Sequence, residues 1–472
     1  MSDAPLNTQP SVRLAFYGDD FTGSTDALEV LAFAGLRCAL FLKPPTRAQL
    51  ASLDGHNGFD AIGVAGDSRA MTPAEMDTAL PAIFTALREL HAPILHYKVC
   101  STFDSSATIG SIGRVMEIAR THVTQHTIPI VAGTPALQRF CVFGNLFARS
   151  GTDGRIYRID RHPIMSAHPV TPMDEGDLLR HLARQTDLPM ASFFLPDLEG
   201  DRSAIDAAWQ RALAVKPAAL LFDTATRAHL TEVGRLLERD AQRGAPMFAV
   251  GSSGLEYALT QWWTASGQLP AVRPSYDRIE PVAQILVLSG SASPLSGAQI
   301  DAAIAAGFAD IAIDARALLD ELDWKQTFVQ IVARTVAALR EGHSVVMHTA
   351  RGPQDPRIAA MLDALVSGGM SDAEARHRGG RLLGQRLGAI AQSVLEAAPL
   401  RRLVLSGGDT SSQVTQVLGP DALEIDARLT PGAPLCRVIS NKPHLKQLQV
   451  ALKGGQMGDA NLFVTARDGN MH

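Results

Sequence analysis

Two adjacent carboxylates lie where the first predicted strand ends. Asp19 and Asp20 follow an apolar run at residues 12–17 and precede a helical pattern. A pair of carboxylates at a strand end can supply a general base and an orienting group for a ligand hydroxyl. The alternative is helix capping, because an aspartate side chain accepts hydrogen bonds from the unpaired N–H groups at a helix N-terminus. The residues alone leave both roles open.

Two further predicted strands end in groups suited to an anionic ligand. The run at residues 61–65 leads into Asp67, Ser68 and Arg69, and a guanidinium can bind a carboxylate through two hydrogen bonds. A solvated Arg69 paired with Asp67 is the alternative. The run at residues 94–99 leads into a turn that combines a cation, hydroxyls and a carboxylate. We predict that this turn contacts substrate through Lys98, Ser101, Thr102 and Asp104.

Three glycine-rich turns in the second half of the chain are typical of phosphate binding. They lie at residues 289–294, 406–412 and 453–458, and the first two follow a predicted strand and precede a helix. Glycine lets the backbone approach a phosphate closely, and a helix N-terminus supplies N–H groups and the positive end of its dipole. The ordinary P-loop and dinucleotide fingerprints are absent from the sequence.

The elements that position these groups are predicted from short apolar runs, which alternate with stretches of helical periodicity. This alternation is typical of βαβ units and of a mainly parallel sheet. Residues 266–282 contain several prolines and no apolar periodicity, which predicts a linker. The expected fold class is therefore α/β, with two α/β domains, mainly parallel sheets and an interdomain cleft. The predicted domains are residues 1–265 and 283–472. The predicted strands lie at residues 12–17, 38–42, 61–65, 94–99, 128–132, 218–222, 246–250, 285–288, 311–313, 344–348 and 403–405.

The composition excludes several classes of protein. With 46% hydrophobic and 19% charged residues among 472, the chain is not largely disordered. Its 43 basic and 48 acidic residues give a net charge of −5, and no basic block points to nucleic acid. The four cysteines form no C-x-x-C pair, and Cys100 is expected to be a buried thiol. Without a signal peptide or an apolar run near ~20 residues, we expect a soluble cytoplasmic protein with no membrane partner.

Taken together, the motifs resemble those of the four-carbon acid sugar kinases. Gly-Asp-Asp-Phe-Thr-Gly-Ser-Thr-Asp at residues 18–26 is similar to their Asp-Asp-Leu-Thr-Gly-Ala opening. Ser-Gly-Gly-Asp-Thr-Ser at residues 406–411 resembles their C-terminal Gly-Gly-Glu/Asp-Thr loop. Residues 430–435 and 452–458 resemble their closing Pro-Gly and Lys-Ser-Gly-Asn-Phe-Gly elements. The order and spacing of these motifs agree along nearly the whole chain.

The resemblance implies a substrate domain followed by an ATP domain. Family members phosphorylate threonate, erythronate, 3-oxo-tetronates or 3-oxo-isoapionate with ATP, and Mg²⁺ would bridge the ATP phosphates. The resemblance implies that Asp19, Asp20, Arg69 and Lys98 face the sugar acid. One of the two aspartates would be the general base, and Arg69 and Lys98 would hold the carboxylate of the acid. The implied nucleotide-binding residues are Ser291, Ser293, Gly407, Gly408, Asp409, Thr410, Gly454 and Gly455. The sequence leaves open whether the protein forms a homo-oligomer.

One turn departs from the family pattern. Many members have Lys-Lys-Ile-Asp-Ser-Thr-Leu-Arg-Gly-Asn where this chain has Tyr-Lys-Val-Cys-Ser-Thr-Phe-Asp-Ser-Ser at residues 97–106. Cys100 replaces the aspartate, and the Arg-Gly-Asn part is missing. This favours a 3-oxo acid such as 3-oxo-isoapionate or 3-oxo-tetronate over threonate or erythronate. The alternatives from other classes are a non-catalytic sugar-acid sensor and, third, an oxidoreductase.

Overall fold

Two structural units divide the chain between Pro274 and Ser275. The computed structural model describes residues 12–53, 58–150, 153–168, 170–242, 246–269, 273–320 and 324–470. The units are Met1–Pro274 and Ser275–His472. The N-terminal residues in which we looked for a signal peptide, and residues 270–272 of the predicted linker, lie outside the described residues.

The strands of the first unit form one parallel sheet and one small antiparallel sheet. Their bounds are β1 (Leu14–Gly18), β2 (Cys38–Phe41), β3 (Ala61–Ala65), β4 (Ile94–Lys98), β5 (Ile128–Val131), β6 (Arg139–Val142), β7 (Asn145–Arg149), β8 (Ile156–Arg158), β9 (Met190–Phe193), β10 (Ala219–Phe222) and β11 (Met247–Gly251). The parallel strands follow the order β2-β3-β1-β4-β11-β5-β10-β9. Most are buried along their whole length, as expected for parallel strands with both faces covered.

Helices join the parallel strands of the first unit. Asp20 caps the first of them, and Thr72 and Glu75 form a capping box on the third, next to a proline at its first position. The helices are α1 (Phe21–Phe33), α2 (Arg47–Leu53), α3 (Pro73–Arg88), α4 (Ile112–Arg120), α5 (Leu178–Leu182), α6 (Arg202–Ala214), α7 (Arg227–Ala241) and α8 (Gly254–Ala265).

The second unit has a mixed sheet. Its strands are β12 (Leu286–Ser289), β13 (Ala309–Ala312), β14 (Val345–His348), β15 (Arg402–Ser406), β16 (Ala422–Thr430), β17 (Ala433–Ile439) and β18 (Gln449–Lys453). In the order β13-β14-β12-β15-β18-β17-β16, the first five are parallel, and β17 is antiparallel to both of its neighbours. The helices are α9 (Pro294–Ala305), α10 (Ala315–Leu319), α11 (Trp324–Arg340), α12 (Pro356–Ser367), α13 (Asp372–Ala397), α14 (Gly408–Leu418) and α15 (Leu462–Asp468).

The predicted fold class, α/β with mainly parallel sheets, is confirmed. Each unit has its own apolar cluster of buried residues, with Tyr17 and Tyr97 stacked at 5.8 Å between ring centroids in the first. Within the described residues, no helix is long and apolar enough to cross a membrane. The parallel strands of each unit place their carboxyl ends at one edge, where ligands of open α/β sheets bind.

Candidate active site

The predicted substrate residues of the first unit come from three adjacent strands. β1 lies between β3 and β4, and Gly18 is in register with Ala65 on one side and Lys98 on the other. Beyond the strand ends, the N–H of Asp19 donates to the carbonyl of Lys98 at 2.9 Å, and the N–H of Arg69 donates to the carbonyl of Asp19 at 3.1 Å. These backbone bonds hold the three turns side by side.

Arg69 joins carboxylates from two different turns. Its guanidinium donates to Asp20 Oδ2 at 2.6 Å and, through its other terminal nitrogen, to the carboxylate of Asp104. The hydroxyls of Thr102 and Thr171 also donate to Asp104, at 2.5 and 3.2 Å. Burial alone would raise the pKa of Asp104, but the Arg69 guanidinium and the Thr102 hydroxyl lower it to about 2. Asp104 is therefore an anion at neutral pH and fixes the position of Arg69.

The two adjacent aspartates have different surroundings. Asp20 is the N-cap of α1, where it accepts from the N–H of Gly23, and it also pairs with Arg69. Asp19 is 4% exposed, and its Oδ1 atom is buried without a hydrogen-bond partner among the described residues. Burial and the charge of Asp20 raise the pKa of Asp19 to about 8, although Arg69 and Lys98 oppose this. Asp19 is thus the carboxylate suited to exchanging a proton near neutral pH.

Lys98 is buried behind the N-terminus of α1. Its ammonium donates to the carbonyl of Val99 at 3.0 Å and lies 3.8 Å from Asp26 Oδ2. A Cβ atom added at Gly23 would lie 3.1 Å from Lys98 Nζ. Burial tends to lower the pKa of Lys98, but Asp26 and Asp20 raise it above its ordinary value. Lys98 therefore keeps its positive charge at this strand edge.

The remaining predicted substrate residues lie in the same two turns. Ser68 is fully buried, and its hydroxyl is 2.7 Å from the hydroxyl of Tyr97. Asp67 and Ser101 are partly exposed. The hydroxyl of Ser68 is thus engaged within the core, whereas Asp67 and Ser101 are accessible to a ligand.

Cys100 is partly exposed, so the expectation of a buried thiol is wrong. The residue lies beyond the end of β4, in a turn rather than in the sheet. The hydroxyl oxygen of Thr102 lies 3.1 Å from its sulfur. In the same turn, Phe103 has a φ of 58°, a left-handed conformation that is uncommon outside glycine. Such strained turns are frequent at ligand-binding sites.

Several residues of this edge were missed by the sequence analysis. Asp26 lies inside the motif at residues 18–26, but helical spacing alone did not indicate that it would approach Lys98. Thr171 reaches Asp104 across 67 positions, and no sequence signal marks it. His96 and Glu256 form a fully buried pair, with Nδ1 and Oε1 2.6 Å apart.

In the second unit, the three glycine-rich turns follow three adjacent strands. β15 lies between β12 and β18, with Ser406 in register with both Ser289 and Lys453. Two turns lead directly into helices, because Ser293 is the N-cap of α9 and Gly407 is the N-cap of α14. The turns therefore present two helix N-termini at one edge, an arrangement suited to phosphate.

Glycine is required where neighbouring turns touch. A Cβ atom at Gly290 would lie 2.1 Å from Thr410 Oγ1, and Gly407 has a φ of 113°, which favours glycine. Gly408 is different, because a Cβ atom there would meet nothing within 4 Å. Open space beside Gly408 is what a phosphate group in contact with the turn would need.

The first and third turns are bonded to each other. The hydroxyl of Ser293 donates to the carbonyl of Gly455, and a Cβ atom on Gly455 would lie 2.8 Å from Ser291 Oγ. Asp409 is exposed in the first turn of α14, and Gly454 is partly exposed after β18. All eight predicted nucleotide-binding residues thus lie in the turns at this one edge.

The two units match two parts of one enzyme family. Residues 14–259 match a sugar-binding N-terminal domain family, and residues 286–463 match a nucleotide-binding C-terminal domain family. Together with 44% identity over 97% of the chain to a curated sugar-acid kinase, these matches show that the chain belongs to the four-carbon acid sugar kinase family. This acid sugar kinase is therefore a phosphotransferase, which excludes the sensor and oxidoreductase alternatives.

Curated relatives extend along nearly the whole kinase. The 3-oxo-isoapionate kinase of Paraburkholderia graminis is 44% identical over 459 residues, covering 97% of this chain and 94% of the relative. The 3-oxo-tetronate kinase of Pseudomonas fluorescens is 28% identical over 97% of both chains. The D-threonate kinase of Salmonella typhimurium is 26% identical over 96% of this chain and 97% of the relative.

A solved structure supports the fold of the kinase. A Salmonella typhimurium LT2 protein described as a putative tRNA synthase superimposes with a TM-score of 0.74 over 97% of this chain and 99% of that protein. At 23% identity this likeness concerns the fold alone.

Proposed function

We propose that this kinase transfers the γ-phosphoryl group of ATP to a hydroxyl of 3-oxo-isoapionate or a closely related 3-oxo acid. The observation that carries the proposal is the 44% identity, over 97% of the chain, to a 3-oxo-isoapionate kinase. The altered turn around Cys100 supports the same choice. We further propose that residues 1–265 bind the acid and residues 283–472 bind ATP, joined by residues 266–282. Use of ATP supports a cytoplasmic location.

Asp19 is the proposed general base. Its Oδ1 atom lacks a partner among the described residues, so a substrate hydroxyl would supply the missing donor. As the hydroxyl oxygen attacks the γ-phosphorus, its proton passes to the Asp19 carboxylate, and the bond to the β-phosphate oxygen breaks to release ADP. Asp20 keeps α1 and Arg69 in place, and thereby orients the site.

Arg69 and Lys98 are proposed to attract the carboxylate of the acid. Among the described residues, Arg69 uses two of its five N–H donors on aspartates, which leaves three for a substrate. The guanidinium side chain is 25% exposed, whereas Lys98 is almost fully buried and acts through its charge. We propose that Asp67, Ser68, Ser101, Thr102 and Asp104 complete the substrate site.

The three turns of the second unit are proposed to bind the ATP phosphates. Ser291, Ser293, Gly407, Gly408, Asp409, Thr410, Gly454 and Gly455 are the residues involved. Mg²⁺ would arrive with ATP, since it binds mainly phosphate oxygens and water and needs few protein carboxylates. This fits the described residues, where no three His, Cys, Asp or Glu side chains form a metal-binding group. The ion supplies positive charge to the transferring phosphoryl group.

A panel of acids tests the proposed substrate. We expect kcat/KM with 3-oxo-isoapionate to exceed that with 3-oxo-tetronate, and both to exceed that with D-threonate by about tenfold or more, since one well-placed hydrogen bond is worth that much. The measurement is ADP release at saturating ATP for each acid. A preference for D-threonate would contradict the substrate assignment while leaving the kinase activity in place.

The variant Gly408→Val tests the phosphate site. A branched side chain would fill the open space beside the turn, so we expect the KM for ATP to rise by about tenfold or more, the scale of one lost charge-assisted contact. Gly380→Val is the matched control, because a Cβ atom at Gly380 also meets nothing within 4 Å. An unchanged KM for ATP in a folded Gly408→Val protein would remove this turn from the site.

A further inference from the structure

Lys453 is a buried cation at the centre of the nucleotide-binding turns. It is the last residue of β18 and is 0% exposed. Its ammonium donates to Ser406 Oγ at 3.1 Å, to Ser296 Oγ at 3.1 Å and to Gln299 Oε1 at 2.7 Å. An ammonium has three N–H donors, so these contacts use all of them.

The acceptors belong to the elements that carry the first and second turns, whereas Lys453 itself begins the third. Ser406 ends β15 and begins the second turn, and Ser296 and Gln299 lie on α9 directly after the first turn. The amide of Gln299 also donates to the carbonyls of Met457 and Asp459 in the third turn region, at 3.0 and 2.8 Å. One buried polar network therefore connects all three turns.

The charge of this ammonium has no acidic partner among the described residues. Its Nζ also lies 5.7 Å from the centroid of the Phe463 ring. Burial lowers the pKa of Lys453 to about 8. An unpaired buried charge is costly, and an anion bound beside it would offset that cost.

The charged side chains on the elements around Lys453 are exposed or engaged with other groups. Asp301 pairs with Arg351, Arg467 with Asp468, and Arg437 with Glu424. Arg402 donates to Gln449 and to backbone carbonyls, and Asp409 is exposed. The charged residues on α9, α14, α15, β15 and β17 are Asp301, Asp409, Arg467, Asp468, Arg402 and Arg437. None of them provides Lys453 with a counter-ion.

We propose that Lys453 is the positioning residue of the nucleotide site, holding the three turns in one arrangement and attracting the phosphates from behind them without contacting them. This inference rests on the proposed binding of ATP at these turns. Nucleotide affinity then depends on the charged form of Lys453. As the pH rises through about 8, the ammonium loses its proton and the affinity falls.

Calorimetric titration of the full-length protein with ADP tests this role. For the wild type, the ADP dissociation constant should rise about tenfold between pH 7 and pH 9, the change expected for a group with a pKa near 8. Lys453→Met should weaken ADP binding about tenfold or more at pH 7 and abolish the rise with pH. Lys442→Met is the control, because Lys442 is exposed and donates to the carbonyl of Leu418. The Lys442→Met protein should keep the wild-type dissociation constant for ADP and its dependence on pH.

Ser406→Ala separates the electrostatic role from a purely structural one. Loss of one acceptor for the charged form lowers the pKa of Lys453 further, so ADP binding should begin to weaken at a lower pH. A structural role would change the dissociation constant equally at all pH values. If Lys453→Met does not fold, the pH profile of Ser406→Ala alone tests the electrostatic role of Lys453.

Two results would overturn the inference about Lys453. One is a folded Lys453→Met protein with the wild-type ADP dissociation constant, and the other is an unshifted pH profile in Ser406→Ala. Either result would leave the assignment as an ATP-dependent kinase intact. Failure of the wild type to bind any adenine nucleotide would overturn both that assignment and the role of Lys453.

Discussion

Asp19→Asn is expected to lower kcat about 10²- to 10⁴-fold, the usual range for loss of a general base. The amide has nearly the same shape as the carboxylate but cannot accept the proton of the substrate hydroxyl. The KM values for both substrates should change much less than kcat. The measurement is the steady-state rate of ADP release at saturating acid and ATP.

The adjacent aspartate provides the matched control. Asp20→Asn keeps a side-chain oxygen at the N-cap of α1, and asparagine is as good an N-cap residue as aspartate. Since its charge pairs with Arg69, the change should act mainly on the KM for the acid. Near-wild-type kcat in Asp19→Asn, or a larger loss of kcat in Asp20→Asn, would reverse the assignment of the base.

The pH dependence gives a second signature of Asp19. Its pKa is raised to about 8, and a base acts only when ionised. At saturating ATP, kcat/KM for the acid should therefore rise as the pH approaches 8 and level off above it, whereas Asp19→Asn should lack this rise. The effect of Lys453 has the opposite sign, because that group weakens ATP binding as it loses its proton.

Arg69→Ala is expected to raise the KM for the acid about 10- to 100-fold, while the KM for ATP stays nearly unchanged. A charge-assisted hydrogen bond is worth ~1.5–3 kcal/mol, which corresponds to this range. The protein carries a net charge of −5, so long-range attraction cannot replace a fixed cation in capturing an anion. Steady-state kinetics with each substrate varied in turn measures both constants.

Removal of Arg69 also leaves the buried Asp104 without its cation, so folding must be checked by thermal unfolding. Arg114→Ala is the matched control, because Arg114 is partly exposed and pairs with Asp77 and Glu117. It removes the same charge and should leave both KM values unchanged. A folded Arg69→Ala protein with a normal KM for the acid would remove Arg69 from the substrate site.

The sequence predicts most of the parallel strands of both units, but not β9 and β18. Continuous buried runs such as Ala61–Ala65 lie between turn residues, and the structure gives this strand the bounds that the sequence predicts. The strands β6, β7, β8, β9, β16, β17 and β18 were missed. In β7 and β16, buried residues alternate with more exposed ones, as expected for antiparallel strands, so these strands lack the continuous apolar run used to find strands. The parallel strand β18 has only three apolar residues between Gln449 and Lys453.

The sequence predicts which residues lie at the strand ends of the candidate site, but it does not predict the role of each side chain. The sequence places Asp19 and Asp20 together, yet only burial distinguishes the capping residue from the carboxylate with a raised pKa. The pairing of Arg69 with Asp104 spans 35 positions and depends on the order of the strands. The sequence shows only that Lys453 begins a glycine-rich turn, and its three buried acceptors become visible only in the folded unit.

Product analysis is the most direct test of phosphoryl transfer to an acid sugar. The full-length protein is incubated with ATP, Mg²⁺ and 3-oxo-isoapionate, and the products are identified by phosphorus NMR and mass spectrometry. The account predicts one ADP for each phosphorylated acid, with little free phosphate. ATP consumption that yields only ADP and free phosphate, or no phosphorylated product from any acid of the panel, would contradict it.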